Sequence, residues 1–394
     1  MASIRRLDVA GNIYFYSLVA VGIVGLLTPT WYNILPSNFV FEAVLFLCVL
    51  VMFKVPKRGV IFFFLASLAY IGVSLFLMMA YNPSDYLDFA QAFKAFIYVA
   101  PLCCFYRQGV FERRKALRFL KILLVLFIAK YLYSVLLNVN PRMGSRPGLY
   151  VENNFELIFL LLYFFVLADD FGKNLGRWFL VLAAIIVLSG SRSSALALLV
   201  VFCGIYLRRL TIRSFFYFVA FIVLIALAAI LFASRSGGGG VESIDRYKFM
   251  MVFWSEVGGW PWWKYTFGSF PITPLSAESC RTLSYYSRLF SFSEDGSCYS
   301  VVLHSYFFRV IFDHGVVGMI FLFGFIAKAL HGTGYSAFRI MIFIGVLSAS
   351  ALSVSAMNSV FVSLAIAMAI GLQRPGGSVS PGRDIADLQS NQAT

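Results

Sequence analysis

Long apolar stretches recur along the whole 394-residue chain, and they constrain its fold more than any other feature. Hydrophobic residues make up 60% of the chain and charged residues only 13%. A transmembrane helix needs about 17–25 mostly apolar residues, and runs approaching or reaching that length follow one another almost to the carboxyl terminus. The sequence therefore predicts an all-α polytopic membrane protein with about twelve transmembrane helices.

Short polar loops separate the predicted helices. The helices are expected at 12–29, 38–53, 59–80, 88–106, 117–137, 155–169, 176–190, 194–207, 214–233, 301–327, 337–353 and 355–372. One large loop at 234–300 interrupts the series, and the polar tail at 373–394 is predicted to be a disordered cytoplasmic segment. We therefore expect a single transmembrane domain over 1–372 that includes the large loop.

Basic residues fall in alternate loops, and this pattern predicts the orientation of the helices. The loops in question carry Arg5/Arg6, Lys54/Lys57/Arg58, Arg107/Arg113/Arg114/Lys115, Lys173/Arg177, Arg208/Arg209/Arg213, Lys328/Arg339 and Arg374. Because cytoplasmic loops are enriched in Lys and Arg, both termini are expected in the cytoplasm and the loop at 234–300 outside it. The net charge of +14 is spread over these loops and forms no single patch, so nucleic acid is not an expected partner.

The stretch 298–318 contains two of the three histidines in the chain. His304 stands where the large polar loop meets an apolar run, and Arg309, Asp313 and His314 follow inside that run. Ionisable groups at the centre of a membrane helix cost about 2.5–3.5 kcal/mol each, so they normally face protein or water. His304 is either a hydrogen-bonded interface histidine or a proton acceptor, because neutral imidazole takes up a proton near pH 7. His314 is predicted to be structural, and on one helix it would not share a face with His304.

Several arginines are predicted to lie on the same side of the membrane as His304, namely Arg142, Arg146, Arg192 and Arg246. Arg192 occupies a Ser-Gly-Ser-Arg-Ser-Ser turn between two short helices, which indicates a turn recessed below the outer surface of the membrane. A guanidinium offers a planar fork of donors that suits a diphosphate. An arginine in a loop is more commonly a solvated charge, but a recessed arginine is costly unless it is paired.

Two features are left open by the sequence, and a third is excluded. Cys280 and Cys298 can form a disulfide if the large loop faces an oxidising compartment. Lys94 and Lys130, inside predicted helices, can meet a lipid phosphate or an internal carboxylate, or extend toward the membrane surface. The three histidines are too few and too scattered for a usual zinc site, and no phosphate-binding loop is present, so no metal or cofactor is expected.

Several short motifs occur in a characteristic order along most of the chain. They are Arg146-Pro147-Gly148 followed by Asn153-Asn154, the Ser191-Arg192-Ser193 turn, Arg246 with Trp254 and Gly268 downstream, and His304-Ser305 with Gly315 and Gly318. Together with the predicted helices and the large late loop, they resemble the bacterial O-antigen ligase and polymerase superfamily. Ser305 stands where that family often has Asn, and Asp313-His314-Gly315 replaces its more usual Glu-x-Gly.

The resemblance implies an inner-membrane glycosyltransferase of the C-type fold that works on the periplasmic side without metal or nucleotide. Its expected partners are an undecaprenyl-diphosphate-linked glycan donor, a lipid A–core acceptor and membrane lipids. The arrangement around His304 and the glycine pair favours a ligase. The alternatives are an O-antigen or exopolysaccharide polymerase and, from another class, a lipid-linked-glycan transporter, although the chain shows none of the internal repeats expected of a carrier.

The resemblance also implies roles for individual residues. Arg192 and Arg246 would hold the diphosphate and stabilise the charge that develops as it leaves, while His304 would orient or deprotonate the acceptor hydroxyl. These three are the expected catalytic residues. The expected substrate-binding residues are Arg142, Arg146, Asn154, Ser191, Ser193 and Arg309.

Overall fold

The computed structural model describes residues 2–29, 32–82, 84–137, 147–207, 219, 222–223 and 245–373, and over these residues the chain is helical, without β-strands. The helices are α1 (Ala2–Leu27), α2 (Ser37–Met52), α3 (Arg58–Tyr81), α4 (Tyr86–Ala92), α5 (Lys94–Phe105), α6 (Arg113–Leu136), α7 (Asn153–Val166), α8 (Leu175–Ser189), α9 (Arg192–Tyr206), α10 (Asp245–Val257), α11 (Trp262–Phe267), α12 (Ala277–Thr282), α13 (Tyr306–Gly332), α14 (Ala337–Ala351) and α15 (Val360–Gly371).

Five helical segments in the described part of the chain are long and apolar enough to cross a membrane, or six if the bent pair α4–α5 is one span. The five are Ile4–Leu27, Arg58–Tyr81, Arg113–Leu136, Ala168–Ser189 and Tyr306–Gly332. The other apolar helices, α2, α7, α9, α14 and α15, are shorter. The structure is thus that of a helical membrane protein with five or six candidate spans, and the expectation of about twelve stays a prediction. The predicted helix at 214–233 and the predicted tail beyond residue 373 lie outside the described residues.

The region predicted as one helix at 88–106 is two helices, α4 and α5, which meet at an angle of 64°. Asp85 caps α4 by accepting a hydrogen bond from the Leu87 amide (2.7 Å). Near the start of α5 the Ala95 amide donates to the Asn358 side chain (3.2 Å). At the start of a helix the first amides have no acceptor within that helix. The Asn358 side chain supplies one for Ala95, and this allows the helix to break at Phe93.

Four basic residues from three different loops lie at one end of the helix bundle, which we call the basic end: Lys57, Arg107, Arg113 and Arg339. Arg113 pairs with Asp170 (2.6 Å), and Arg339 pairs with the neighbouring Asp169. Lys57 donates to the Arg107 carbonyl (2.9 Å), and the Arg107 amide donates to Ile370 (3.1 Å). These loops, which the charge pattern assigned to one side, therefore do share one end of the bundle.

The helix predicted at 301–327 is interrupted twice. A 3₁₀ turn, Ser300–Leu303, ends at His304, whose backbone is left-handed (φ 45°), and α13 begins only at Tyr306. Inside α13, Gly315 breaks the helix with φ 65° and ψ −176°. His304 is thus not a helical residue, which corrects the expectation that it lies on the same helix as His314.

The described part of the large loop, from residue 245, folds into a compact helical segment with its own apolar cluster, which includes Phe249, Phe253, Val257 and Leu283. Cys280 and Cys298 form a disulfide in this segment, with their Cα atoms 5.7 Å apart. The pairing that the sequence left open is therefore present in the structure. It ties α12 to the stretch that leads into the 3₁₀ turn before His304.

Candidate functional site

His304 lies between two aromatic side chains of the large loop. Its ring centre is 5.4 Å from that of Phe249 on α10 and 4.8 Å from that of Tyr286. A left-handed backbone costs a non-glycine residue roughly 1–2 kcal/mol, so the neighbouring contacts must hold it. Before His304 in the chain, the Ser300 hydroxyl donates a hydrogen bond to Asp313 (2.5 Å). After it, the Ser305 hydroxyl donates to the Ala351 carbonyl (3.4 Å). The imidazole is therefore placed by contacts on both sides of it in the chain.

Asn154 and the Ser-Gly-Ser-Arg-Ser-Ser turn, which the resemblance assigned to one site, lie in contact. The Ser191 hydroxyl donates to the Asn154 side-chain oxygen (2.7 Å), and it lies 3.4 Å from the Ser193 hydroxyl. The side-chain amide of Asn153 donates to the Ser189 carbonyl (3.0 Å). We call this cluster, made of Asn153, Asn154 and residues 189–194, the serine turn. Arg192 is the first residue of α9 and is half-buried within it.

The serine turn and His304 lie at the same end of the bundle, opposite the basic end. Helices α9 and α14 pack antiparallel, because Gly204 lies against Ile342 while Val200 lies against Gly345. The first residue of α9, Arg192, is therefore level with the last residues of α14, near Ala351. Ser305 contacts that same residue. We call this end of the bundle the site end.

Arg246 lies on α10, the helix that packs against the His304 ring. Its side chain is exposed, and Phe249, one helical turn further along, makes the contact with His304. Residues three apart on a helix are neighbours on its surface, so Arg246 lies next to the residue that contacts the histidine. Arg142 and Arg146, also expected at the site, lie outside the described residues.

Arg309 is buried, and protein groups surround its guanidinium. Its Nη1 lies 3.4 Å from the Ser355 hydroxyl, its Nη2 donates to the Gln91 carbonyl, and its Nε is 3.9 Å from the Asp313 carboxylate. These contacts connect α13 to the bent pair and to the loop after α14. The arrangement favours a structural role for Arg309 over the expected contact with substrate.

His314 is likewise surrounded by protein. Its Nδ1 is 2.9 Å from the Tyr70 hydroxyl and its Nε2 is 3.0 Å from the Ala92 carbonyl. Its ring packs against Phe93 and Phe96. The structural role predicted for His314 agrees with these contacts.

Glu156 is a buried carboxylate that the sequence reasoning missed. It accepts hydrogen bonds from the amides of Leu149 (2.9 Å) and Tyr150 (2.7 Å) and from the Tyr131 hydroxyl (2.6 Å). Glu156 thereby fixes the chain just before the serine turn's Asn153. The sequence did contain a signal for this role. Glu156 is a single acidic residue in the otherwise apolar run 155–167, where an unpaired carboxylate is costly.

The two lysines that the sequence left open both have protein partners. Lys94 pairs with an internal carboxylate, Glu42, at 2.5 Å. Lys130 donates to the carbonyls of Gly25 (2.8 Å) and Thr28, and to the Tyr133 hydroxyl (2.9 Å). Both lysines are therefore held by protein groups.

The described residues contain no group of three or more His, Cys, Asp or Glu side chains that could hold a metal ion. What the site end offers instead is guanidinium groups, hydroxyls, an amide and one imidazole. This set of groups suits an anionic ligand and a proton acceptor.

No protein-family model, curated protein or solved structure matches this chain.

Proposed function

We propose that the chain is a glycosyltransferase of the bacterial inner membrane, an O-antigen ligase that joins a glycan from undecaprenyl diphosphate to lipid A–core. One observation carries the proposal: Arg192 and His304 lie at the same end of the bundle. Arg246 lies one helical turn from Phe249, which contacts the His304 ring. A lipid-linked donor supplies a diphosphate, which requires cations. An acceptor sugar supplies a hydroxyl, which requires a base.

In the proposed reaction the guanidinium groups of Arg192 and Arg246 bind the diphosphate of the donor. The His304 imidazole takes the proton from the acceptor hydroxyl as its oxygen attacks the anomeric carbon of the glycan. The bond between that carbon and the diphosphate breaks, and undecaprenyl diphosphate leaves with the electron pair. The arginines stabilise the negative charge that develops on it. Arg142, Arg146, Asn154, Ser191 and Ser193 complete the proposed substrate site.

Two features support an extracytoplasmic location of the site end. The Cys280–Cys298 disulfide is typical of an oxidising compartment such as the periplasm. The basic residues gather at the opposite end, where the enrichment of cytoplasmic loops in Lys and Arg would place the cytoplasm. In this proposal the shorter apolar helices and the segment 214–233 complete about twelve spans, with both termini in the cytoplasm.

A transporter of lipid-linked glycans is the second candidate, and the bent pair α4–α5 is the observation that favours it. Broken membrane helices are frequent in secondary transporters, where they occur at corresponding positions of two related halves. The sequence shows no such repeat, which favours the transferase.

The test is a lipopolysaccharide gel from a strain that lacks the gene and carries either the wild-type gene or a variant. We expect His304→Ala and Arg192→Ala to leave core without O-antigen, while the glycan accumulates on undecaprenyl diphosphate. Loss of a general base typically costs 10²–10⁴-fold in rate. Arg192→Lys should also fail, because a lysine cannot make a bidentate contact.

The matched controls are His331→Ala and Arg177→Ala, which change exposed residues toward the basic end and should restore the full ladder. A full ladder with His304→Ala at normal protein level would contradict the mechanism. Core capped by a single repeat unit in the deletion strain would indicate a polymerase instead. An unchanged ladder in that strain would exclude this pathway and favour the transporter.

A further inference from the structure

The large loop presents a group of aromatic side chains that are exposed to a large extent. We call Trp262, Trp263, Phe267 and Phe270 the aromatic rim. Trp262 is 76% exposed and Phe267 61%, and none of the residues of α11 is buried. An exposed apolar patch of this kind marks a surface that meets a partner or a membrane.

The aromatic rim is attached tightly to a membrane-spanning helix. A side chain on Gly315 of α13 would come within 2.3 Å of the Thr266 carbonyl, so only a glycine lets α11 approach so closely. The Ser269 amide also donates to the Phe312 carbonyl (2.7 Å). The position of the rim relative to α13 is therefore fixed by backbone contacts rather than by flexible side chains.

A second candidate span holds the other end of the rim. The Asn82 side chain, just after α3, donates to the Ile272 carbonyl (2.6 Å). The ring of Tyr81, the last residue of α3, lies 6.2 Å from that of Phe270. The rim thus bridges the site-end portions of two helices that are long enough to cross a bilayer.

The depth of this attachment can be estimated from the helix rise. Gly332 lies at the basic end, where it packs against Tyr106 beside Arg107. The 17 residues between positions 315 and 332 of α13 rise about 26 Å at 1.5 Å each. This is close to the thickness of a hydrocarbon core, about 30 Å. Gly315, and with it the aromatic rim, therefore lies near the boundary opposite the basic end.

The surface next to the rim has the character expected at that boundary. Val316, Val317 and Ile320 continue the exposed apolar surface along α13 toward the basic end. On the rim itself, the Lys264 ammonium lies 5.7 Å from the centre of the Trp263 ring. Tryptophan is enriched at the level of lipid headgroups, and lysine reaches lipid phosphates from the same level.

We propose that the aromatic rim inserts into the outer interfacial layer of the phospholipid bilayer and anchors the large loop to the membrane surface. Its partner is the bilayer itself, with the Trp and Phe rings among the glycerol and upper acyl groups and Lys264 at the phosphates. This anchor would keep the segment that packs against His304 at a constant height above the membrane. The proposal does not depend on the reaction that the protein catalyses.

The experiment places a nitroxide spin label at Trp262→Cys in the full-length protein. Cys203 is replaced by alanine so that it does not take up the label, whereas the other unpaired cysteines of the described chain are buried. The protein is reconstituted in nanodiscs of phosphatidylethanolamine and phosphatidylglycerol. Collisions of the label with oxygen, which concentrates in lipid, are compared with collisions with a water-soluble nickel chelate. Glu278→Cys, at an exposed polar position of α12, is the matched control.

We expect oxygen to dominate at Trp262 and the nickel chelate to dominate at Glu278. Phe267→Cys should behave like Trp262→Cys, so one poorly folded variant does not decide the result. If the labels at both rim positions collide mainly with the nickel chelate, the proposal is wrong. Labels shielded from both reagents would also overturn it and would indicate a covering protein, such as a second copy of the chain.

Discussion

The Arg309 guanidinium shows how a charge is tolerated within an apolar run. Only 4% of the residue is exposed, and its contacts come from three parts of the chain that are far apart in sequence: Gln91, Asp313 and Ser355. Asp313 in turn accepts a hydrogen bond from the hydroxyl of Ser300, the first residue of the 3₁₀ turn that leads to His304. A buried ion pair thus connects the positioning of His304 to the packing of α13.

We predict that Arg309→Met and Asp313→Asn each destabilise the protein, while the double variant loses less than the sum of the two. Removing one partner of a buried pair leaves an uncompensated charge, at a cost of roughly 3–5 kcal/mol. A double-mutant cycle of thermal unfolding in detergent measures the coupling. Arg177→Met, at an exposed position of α8, should change stability by less than about 0.5 kcal/mol. Strictly additive losses would show that Arg309 and Asp313 do not act as a pair.

At the scale of the element, α13 is defined by the interruption at Gly315. The residue needs a positive φ, and its missing side chain makes room for Thr266 and Gly268 of the large loop. Gly268 has the reciprocal property, since a side chain there would meet the His314 amide at 2.6 Å. The two glycines therefore allow a close backbone contact between a membrane-spanning helix and the loop that packs against His304.

We predict that Gly315→Ala loosens the large loop, whereas Gly324→Ala on the same helix does not. Alanine at position 315 combines a left-handed backbone with a clash against a carbonyl, and such strain costs about 1–3 kcal/mol. Position 324 has open space around it and a helical backbone, where alanine is favoured over glycine. Limited proteolysis within residues 245–300, together with the thermal unfolding temperature, distinguishes the two variants. Equal behaviour of both would mean that the contact at Gly315 does not hold the loop.

At the scale of the whole molecule, the charges of the described chain are separated between two ends. The basic end gathers Lys57, Arg107, Arg113 and Arg339, while the site end contains Arg192, His304 and the disulfide-bonded loop. Such a separation is typical of a helix bundle that spans a membrane, because charged groups are costly within the hydrocarbon core. It is also the feature on which the proposed orientation rests.

We predict that Arg288→Cys, at an exposed position two residues after Tyr286, reacts with a membrane-impermeant maleimide in cells whose outer membrane has been permeabilised. Arg177→Cys, which is exposed toward the basic end, should react only after the inner membrane is also opened. A gel shift of the labelled protein reports both results. The reverse pattern would invert the topology and place the proposed active site in the cytoplasm.

The sequence alone predicted the helical membrane fold, the positions of most helices and the shared end of the basic loops. These features depend on hydrophobicity and charge, which are properties of the local sequence, because each apolar run must satisfy its own backbone within the membrane. Arg192 and His304 were singled out from their positions in the sequence, and Asn154, Ser191 and Ser193 were named with them as substrate-binding residues.

Other features were decided by contacts between residues far apart in the chain. The break at Phe93 depends on Asn358, the left-handed His304 on Asp313 and Ala351, and the interruption at Gly315 on the Thr266 carbonyl. The Cys280–Cys298 pairing and the hydrogen bonds to Glu156 are of the same kind. Local sequence determines where a helix can form. Tertiary structure determined where these helices break, because a break is stable only when distant groups satisfy the backbone and fill the space that it leaves.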